Sequence, residues 1–346
     1  MSHAFKGFGA GFAESLITTT SNPFIGLFIG ILATSIIQSS STTTSMVVAF
    51  VAAGMLSVRG AIPIVMGANI GTTVTNTLVA MGHITRKEEF KRALSGSTIH
   101  DFFNILTVII LFPLEMKTHY LEKAGTYLSS LFCDVGCIKF TSPIKFIVKP
   151  AVEGVDKVLS YLPVPDVALG IMALLIALAL LFFSLYNIAK IMRLLVIKKA
   201  DMVFNNVIGK NVLLSMFMGM LFTAIVQSSS ITTSILVPLV AAGVLQIEQS
   251  FPIVLGANVG TTVTAILASF TGNIAGITIA FVHLVFNITG ILIIYPIRFM
   301  RNIPIKLARL VAEKSAKFKG YAIVYVLGTF YLLPLGLIAL SKVFKW

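Results

Sequence analysis

A stretch of 38 residues occurs twice in this chain. Residues 38–75, QSSSTTTSMVVAFVAAGMLSVRGAIPIVMGANIGTTVT, align without a gap on residues 227–264, QSSSITTSILVPLVAAGVLQIEQSFPIVLGANVGTTVT, and 24 of the 38 positions are identical. The offset of 189 reaches back to Gly30 and Gly219 and to Asn22 and Asn211. Downstream, His100 and Asn104 match His283 and Asn287 after a six-residue shortening. Solenoid repeats have periods of roughly 20–50 residues, so a period this long marks two halves of one fold.

Composition says where that fold sits. Of 346 residues, 57% are hydrophobic and 11% charged, whereas soluble domains carry about a quarter charged residues. The expected class is an all-α, polytopic membrane protein. The net charge of +13 would suggest nucleic acid in a soluble chain, but here it falls in clusters between apolar stretches. These are Arg86, Lys87, Lys91 and Arg92; Lys190, Arg193, Lys198, Lys199 and Lys210; and Arg298, Arg301, Lys306, Arg309, Lys314, Lys317 and Lys319. By the positive-inside rule all three are cytoplasmic, and nucleic acid is not an expected partner. Two cysteines, Cys133 and Cys137, exclude a disulfide scaffold and a multi-cysteine cluster; they form either one small disulfide or two free thiols. Residues 1–22 lack the pattern of a cleaved signal peptide.

Crossings about 20 residues long are expected near 63–80, 99–116, 167–188, 252–270, 277–297 and 321–340. The stretches 23–37, 46–56, 212–226 and 235–245 are too short. They flank the two hydroxyl runs in pairs, and each pair reads as the arms of a re-entrant hairpin or a broken helix. The unpaired crossing at 167–188 turns the second half over. The expected architecture is therefore an inverted-topology repeat with two re-entrant hairpins and two broken transmembrane helices, a recurring build of secondary transporters. Its parts are an N-terminal segment 1–22, repeat units 23–116 and 211–297, an extracytoplasmic loop 117–166, a linking crossing with a basic segment 167–210, and a basic segment with the last crossing 298–346.

The chemistry lies in the repeated motifs. Gln38 precedes seven hydroxyl residues and Gln227 six with Ile231 among them, and such runs compete for backbone groups inside a membrane helix. Two facing tips would offer oxygens to a cation and donors to an anion. The segments 67–75 and 256–264, GAN-x-GTTVT, place glycines four residues apart around Asn and Thr. This spacing suits close helix packing; its duplication beside a QSSS segment makes an unwound stretch the expectation. No Lys or Arg falls inside a crossing, so co-bound cations and helix dipoles would neutralise an anionic substrate. Sodium suits a site of hydroxyl, amide and carbonyl oxygens. Asp101 is either a helix-start carboxylate at the cytoplasmic boundary or a cation ligand. His100 and His283, at matched positions, suggest a shared structural role such as bonding to a helix end.

These motifs, together with SNP at 21–23, FKRALSGSTIHDFFN at 90–104 and HLVFNITGILIIYPI at 283–297, closely resemble the type II sodium-dependent phosphate cotransporters over residues 7–342. The resemblance implies electrically driven symport of sodium with inorganic phosphate, as HPO4 2-, by alternating access, and no enzymatic activity. It implies phosphate contacts from Gln38, Ser39, Ser40, Ser41, Gln227, Ser228, Ser229 and Ser230, with Asn69 and Asn258 beside them. Sodium ligands would come from Gln38, Thr42, Thr43, Asn69, Thr72, Thr73, Asp101, Gln227, Ser230, Thr232, Asn258, Thr261, Thr262 and Thr264. Electrogenic relatives resemble Ala, Ala and Asp at the positions of Ser95, Ser97 and Asp101, and electroneutral ones have Ser, Ser and Gly, so this chain is mixed. Asp101 supplies the charge an additional sodium needs, and net inward movement of positive charge is expected.

Vertebrate members have further crossings at both ends and a larger glycosylated loop. A shorter prokaryotic or trimmed form is therefore expected, multi-pass in the bacterial inner (plasma) membrane. Expected partners are phosphate, sodium ions and the lipid bilayer, with a homodimer left open and no organic cofactor. A sodium-coupled carrier of another oxyanion or a dicarboxylate, and an ion channel, are the alternative readings. An enzyme is disfavoured because the serine runs have no matched base and GANIGTT lacks the lysine of a phosphate-binding loop.

Overall fold

The computed structural model describes residues 20–136, 211–269 and 273–344, with scattered positions between 150 and 179. Among these residues it holds helices and no strand. In the first half they are α1 Pro23–Ile37, α2 Ser40–Ala52, α3 Val58–Ile70, α4 Val74–Met81, α5 Lys87–Thr118 and α6 Tyr120–Gly136. In the second they are α7 Val212–Val226, α8 Ser229–Ala241, α9 Ile247–Ser269, α10 Ile274–Ile294, α11 Arg298–Lys317, α12 Gly320–Leu327 and α13 Leu333–Phe344. A 3-10 turn at Gly71–Thr73 joins α3 to α4, and a π turn at Gly328–Leu332 joins α12 to α13. Among the described residues five helical stretches are long and apolar enough to cross a membrane: Val58–Met81, Lys87–Thr118, Ile247–Ser269, Ile274–Ile294 and Gly320–Ser341. Of the expected crossing at 167–188 only scattered positions up to 179 are described, and its basic segment and the side chains of Cys133 and Cys137 lie outside the described residues.

The two halves begin and turn alike. Asn22 Oδ1 accepts from the N–H of Phe24 and Ile25, and Asn211 Oδ1 from Leu213 and Leu214, capping α1 and α7. After 15 residues each helix ends at a glutamine in the left-handed region, Gln38 at φ 57° and Gln227 at φ 56°. This conformation costs a residue with a Cβ about 1–2 kcal/mol, and it reverses the chain in two residues. Ser39 and Ser228 then cap the returning helices α2 and α8, accepting from Thr42 N and Ile231 N.

Glycine contacts fix the helix directions. A Cβ on Gly30 would stand 2.1 Å from the Ile64 carbonyl oxygen, and one on Gly71 2.5 Å from that of Ile31, so α1 lies parallel to α3 at backbone contact. In the second half a Cβ on Gly219 would meet the Ile253 carbonyl at 2.1 Å, and one on Gly260 that of Met220 at 2.5 Å. The intervening α2 and α8 run back the other way. Contacts of α8 advance along the first half: Ser230 reaches Thr72, Thr233 reaches Asn76, and Val237 and Ala241 cluster with Ala80. Hence α8 runs with α4, and α9 runs opposite to α3.

These contacts correct one sequence expectation. The first GAN-x-GTT copy departs from α geometry only in one 3-10 turn, and the second lies within the continuous 23-residue α9. With the backbone helical, the threonine hydroxyls bond back, Thr72 and Thr261 to the carbonyls of Ala68 and Ala257 and Thr262 to Val259. The glycines serve close packing, the alternative that the duplicated motif had been taken to outweigh.

Each hairpin packs on the opposite half. Val47, Val48 and Val51 of α2 share a core with Ala265, Ile279 and Val282, whereas Leu236 and Val240 of α8 share one with Ile99 and Phe103. The outgoing ends are held across the halves as well. Asn273 Nδ2 donates to the Ala52 carbonyl at 3.1 Å, and Arg92 Nε to that of Ala241 at 2.7 Å. The stretch after residue 117, expected as loop, opens with α6. Glu115 accepts from Leu121 N and Glu122 N at its start, and Ser129 meets Thr278 of α10 at 2.9 Å.

A Cβ on Gly256 would sit 1.8 Å from the Met216 carbonyl oxygen, while one on Gly336 meets nothing within 4 Å. Gly256→Ala is expected to destabilise the detergent-solubilised protein by about 3 kcal/mol, the upper end of overpacking costs, and Gly336→Ala to leave its thermal midpoint unchanged; melting curves of the two variants check this.

Candidate functional site

The turns of both hairpins meet inside the bundle. Ser41 Oγ donates to the Gln227 carbonyl at 3.1 Å, and Ser230 Oγ to that of Thr72 at 3.5 Å. Gln38 Oε1 accepts from Thr75 Oγ1 at 3.2 Å. The turn therefore stands level with Thr75, about 26 Å along the 24-residue span that begins at Val58, at 1.5 Å per residue. Gln38, Ser39, Gln227 and Ser228 are half-buried, and Ser40, Ser41, Ser229 and Ser230 are buried.

The starts of α2 and α8 thus face one another. Helix geometry leaves the first N–H groups of each, those of Ser40, Ser41, Ser229 and Ser230, without intrahelical carbonyls. Each N-terminus carries roughly half a positive charge. No lysine or arginine occurs from 23 through 58 or from 211 through 297, so backbone dipoles and hydroxyls form the positive end of this site. Such a pair of helix starts is an anion-binding geometry.

The hydroxyls around the tips are oriented. Thr42 Oγ1 donates to Ser39 Oγ at 2.8 Å and Thr43 Oγ1 to the Ser39 carbonyl at 3.1 Å. Thr232 Oγ1 lies 3.2 Å from the Ser228 carbonyl and 2.6 Å from Thr223 Oγ1. A hydroxyl that gives its hydrogen to the backbone keeps its lone pairs outward, the arrangement a cation needs. Thr73 Oγ1 and Thr264 Oγ1 are buried without a hydrogen-bond partner among the described residues.

Asn69 and Asn258 take part in a network that joins the halves. His283 Nε2 faces Asn69 Oδ1 at 3.3 Å, and His100 Nε2 makes the matching contact with Asn258 Oδ1. Asn104 Nδ2 donates to the Asn69 carbonyl at 2.6 Å, Asn287 Nδ2 to that of Asn258 at 3.3 Å, and Asn258 Nδ2 to Asn104 Oδ1 at 2.8 Å. The histidines thus pair with asparagine side chains of the opposite half, where a helix end had been expected. All six side chains are buried.

Asp101 does not lie at a boundary. It sits near the middle of the 32-residue α5, is 0% exposed, and accepts from the Tyr325 hydroxyl at 2.8 Å. Sequence reasoning missed two partners here. Tyr325 lies in the last crossing, with no motif around it. Asn76, whose Oδ1 accepts from Thr233 at 2.9 Å and Ser234 at 3.1 Å, matches an alanine, Ala265, in the second copy, so the repeat gave no signal for it.

Comparison with known proteins follows this geometry. A family model described as Na+/Pi-cotransporter matches residues 1–140 and 180–311. The chain is 34% identical to sodium-dependent phosphate transport protein 2B of Homo sapiens, over 99% of this chain and 62% of that protein. It is 33% identical to the 2B protein of Pongo abelii, over 99% and 63%, and 33% identical to the 2A protein of Rattus norvegicus, over 91% and 60%. The chain thus spans less than two thirds of the length of these curated relatives. No solved structure matches it.

Because the left-handed glutamines are strained, Gln227→Gly is expected to relieve about 1 kcal/mol and to keep or raise the thermal midpoint. Removing the side chain from the tip is expected to lower solute uptake at least tenfold. Melting and uptake measured on one preparation separate the two effects.

Proposed function

The chain belongs to the Na+/Pi-cotransporter family, and from that premise we propose that it carries inorganic phosphate across a membrane together with sodium. The observation that carries the proposal is the pair of uncharged helix starts brought face to face by two matched turns. We read the architecture as an inverted-topology repeat with two re-entrant hairpins in a plasma membrane, its basic ends cytoplasmic. The opposite directions of α3 and α9 support that reading, as does the absence of lysine and arginine from 23 through 58 and from 211 through 297.

Phosphate, as HPO4 2-, binds at Gln38, Ser39, Ser40 and Ser41 with Gln227, Ser228, Ser229 and Ser230. The two helix starts supply about one unit of positive charge between them, and the anion carries two. Sodium supplies the rest. Its ligands are the hydroxyl oxygens of Thr42, Thr43, Thr72, Thr73, Thr232, Thr261, Thr262 and Thr264, tip oxygens of Gln38, Gln227 and Ser230, and the Asp101 carboxylate. Asn69 and Asn258 belong to the same polar layer, tied to His283 and His100, and hold the two halves in register beneath the ions.

Sodium binds first. It lowers the cost of bringing a divalent anion into a low-dielectric interior, where an uncompensated charge is expensive. The tips touch through Ser41 and Gln227, so phosphate enters only when the hairpins part. Rearrangement of hairpins and gripping helices then exposes the loaded site to the other side, which is alternating access. A carboxylate at Asp101 adds a binding step for a cation, and we propose that each cycle moves net positive charge inward.

Reconstituted in liposomes, the protein is expected to accumulate labelled phosphate only under an inward sodium gradient, with saturation. Arsenate should compete and succinate should not. Uptake that is linear in phosphate and indifferent to sodium would favour a channel, and succinate competition a dicarboxylate carrier. Ser40→Ala and Ser229→Ala should each lower uptake at least tenfold with normal membrane expression, and an inside-negative potential should raise uptake by the native chain. Normal uptake by either variant removes the assignment of the tips.

A further inference from the structure

The two halves match at the tips and differ at one place. Counterparts follow the alignment: Thr73 corresponds to Thr262, and Asp101, next to His100, to Leu284, next to His283. Thr262 Oγ1 donates to the Val259 carbonyl at 2.6 Å. Thr73 Oγ1 has no hydrogen-bond partner among the described residues, and neither has Asp101 Oδ1, though both residues are 0% exposed. The Thr73 hydroxyl lies beside the Asp101 carboxylate, at the one 3-10 turn in the repeated segments. A carboxylate and a hydroxyl thus stand together in the first half, buried and interacting with each other, and have no equivalent in the second.

What completes the place comes from outside both repeats. Tyr325 on α12 donates its hydroxyl to Asp101 Oδ2 at 2.8 Å. Its ring is held by Phe102 at 5.9 Å and by Phe330 at 6.0 Å, edge to face. Within the π turn that follows α12, Tyr331 donates to the Ser35 carbonyl at 2.9 Å, near the end of α1. One terminal helix therefore touches the carboxylate through one tyrosine and the first hairpin through another.

We infer that Tyr325 is a positioning and selectivity residue for a single monovalent cation bound at Asp101 and Thr73. By occupying Oδ2, its hydroxyl leaves Oδ1 as the one carboxylate oxygen for the ion, with the Thr73 hydroxyl beside the group. A carboxylate offered through both oxygens suits larger cations of high coordination number, such as calcium; one carboxylate oxygen with a hydroxyl suits a small monovalent ion. The hydroxyl also draws electron density from the carboxylate, so it weakens the hold of Oδ1 on the ion. The inference rests on the sodium role proposed for Asp101.

Tyr325→Phe removes the hydroxyl and keeps the ring contacts. In proteoliposomes its sodium concentration for half-maximal phosphate uptake is expected to fall at least threefold, and its preference for sodium over lithium to narrow. The half-saturating phosphate concentration at saturating sodium should stay within twofold of native. Tyr331→Phe, which loses the hydroxyl that bonds to Ser35, should leave sodium activation within twofold. Introduced into Asp101→Asn, Tyr325→Phe should have no further effect on sodium activation. A native sodium response in Tyr325→Phe, an equal shift in Tyr331→Phe, or an undiminished shift in the Asp101→Asn background overturns the inference and leaves the sodium role of Asp101 standing. A native sodium response in Asp101→Asn alone overturns that role, and the inference with it. Size-exclusion profiles identical to native confirm that each variant compared is folded.

Discussion

Two helix starts pressed together in an interior without a lysine or arginine are the constraint on which the rest of this molecule depends. A buried helix end needs partners for its orphan N–H groups, and here Ser39 and Ser228 satisfy one on each side. The remaining donors point to the middle. An arginine clamp would bind an anion permanently and resist letting it go. In the proposed cycle, dipoles and hydroxyls would hold the anion only as strongly as the accompanying cations allow. The frame around the tips is built to keep them there: glycine-lined contacts hold α1 against α3 and α7 against α9, and the histidine–asparagine network ties the halves below.

That frame makes the hairpins semi-independent. Each rests on the other half, by apolar packing of α2 on α9 and α10 and of α8 on α4 and α5. Each is fastened at its outgoing end by one side chain, Asn273 at Ala52 and Arg92 at Ala241. The fastenings occupy equivalent positions and are chemically unequal. A neutral amide holds one hairpin; a charge-assisted bond from a guanidinium, roughly twice as strong as a neutral one, holds the other.

Much of this was legible in the sequence, and the parts that were not share a cause. The repeat, the paired tips and the capping asparagines are local patterns, and 24 identities in 38 residues carried them. The glycines were visible but their purpose was not, because helix unwinding and close packing ask for the same residue. What decides between them is whether a carbonyl from another helix stands about 2 Å from the absent Cβ, a fact about tertiary distance. Asp101 could be read as a boundary carboxylate because Tyr325, which holds it in the interior, is 224 residues away. Asn76 was missed because repetition was the signal being read, and at that position the copies differ.

That difference bears on direction. A perfectly duplicated frame would give two end states of equal energy, related by exchange of the halves, and ions could load equally from either side. The tips come close to that limit. The departures lie beside them: a carboxylate at Asp101 against Leu284, an unbonded Thr73 against a back-bonded Thr262, Asn76 against Ala265, and a terminal helix that touches only the first half's acid. An ion bound at Asp101 stabilises whichever arrangement keeps that carboxylate, Thr73 and Tyr325 together, and it has no partner arrangement in the other half. A ligand shifts an equilibrium only by its differential affinity for the two states, so under the function proposed above the asymmetry that breaks the repeat would also let sodium choose between the two faces of a nearly symmetric machine.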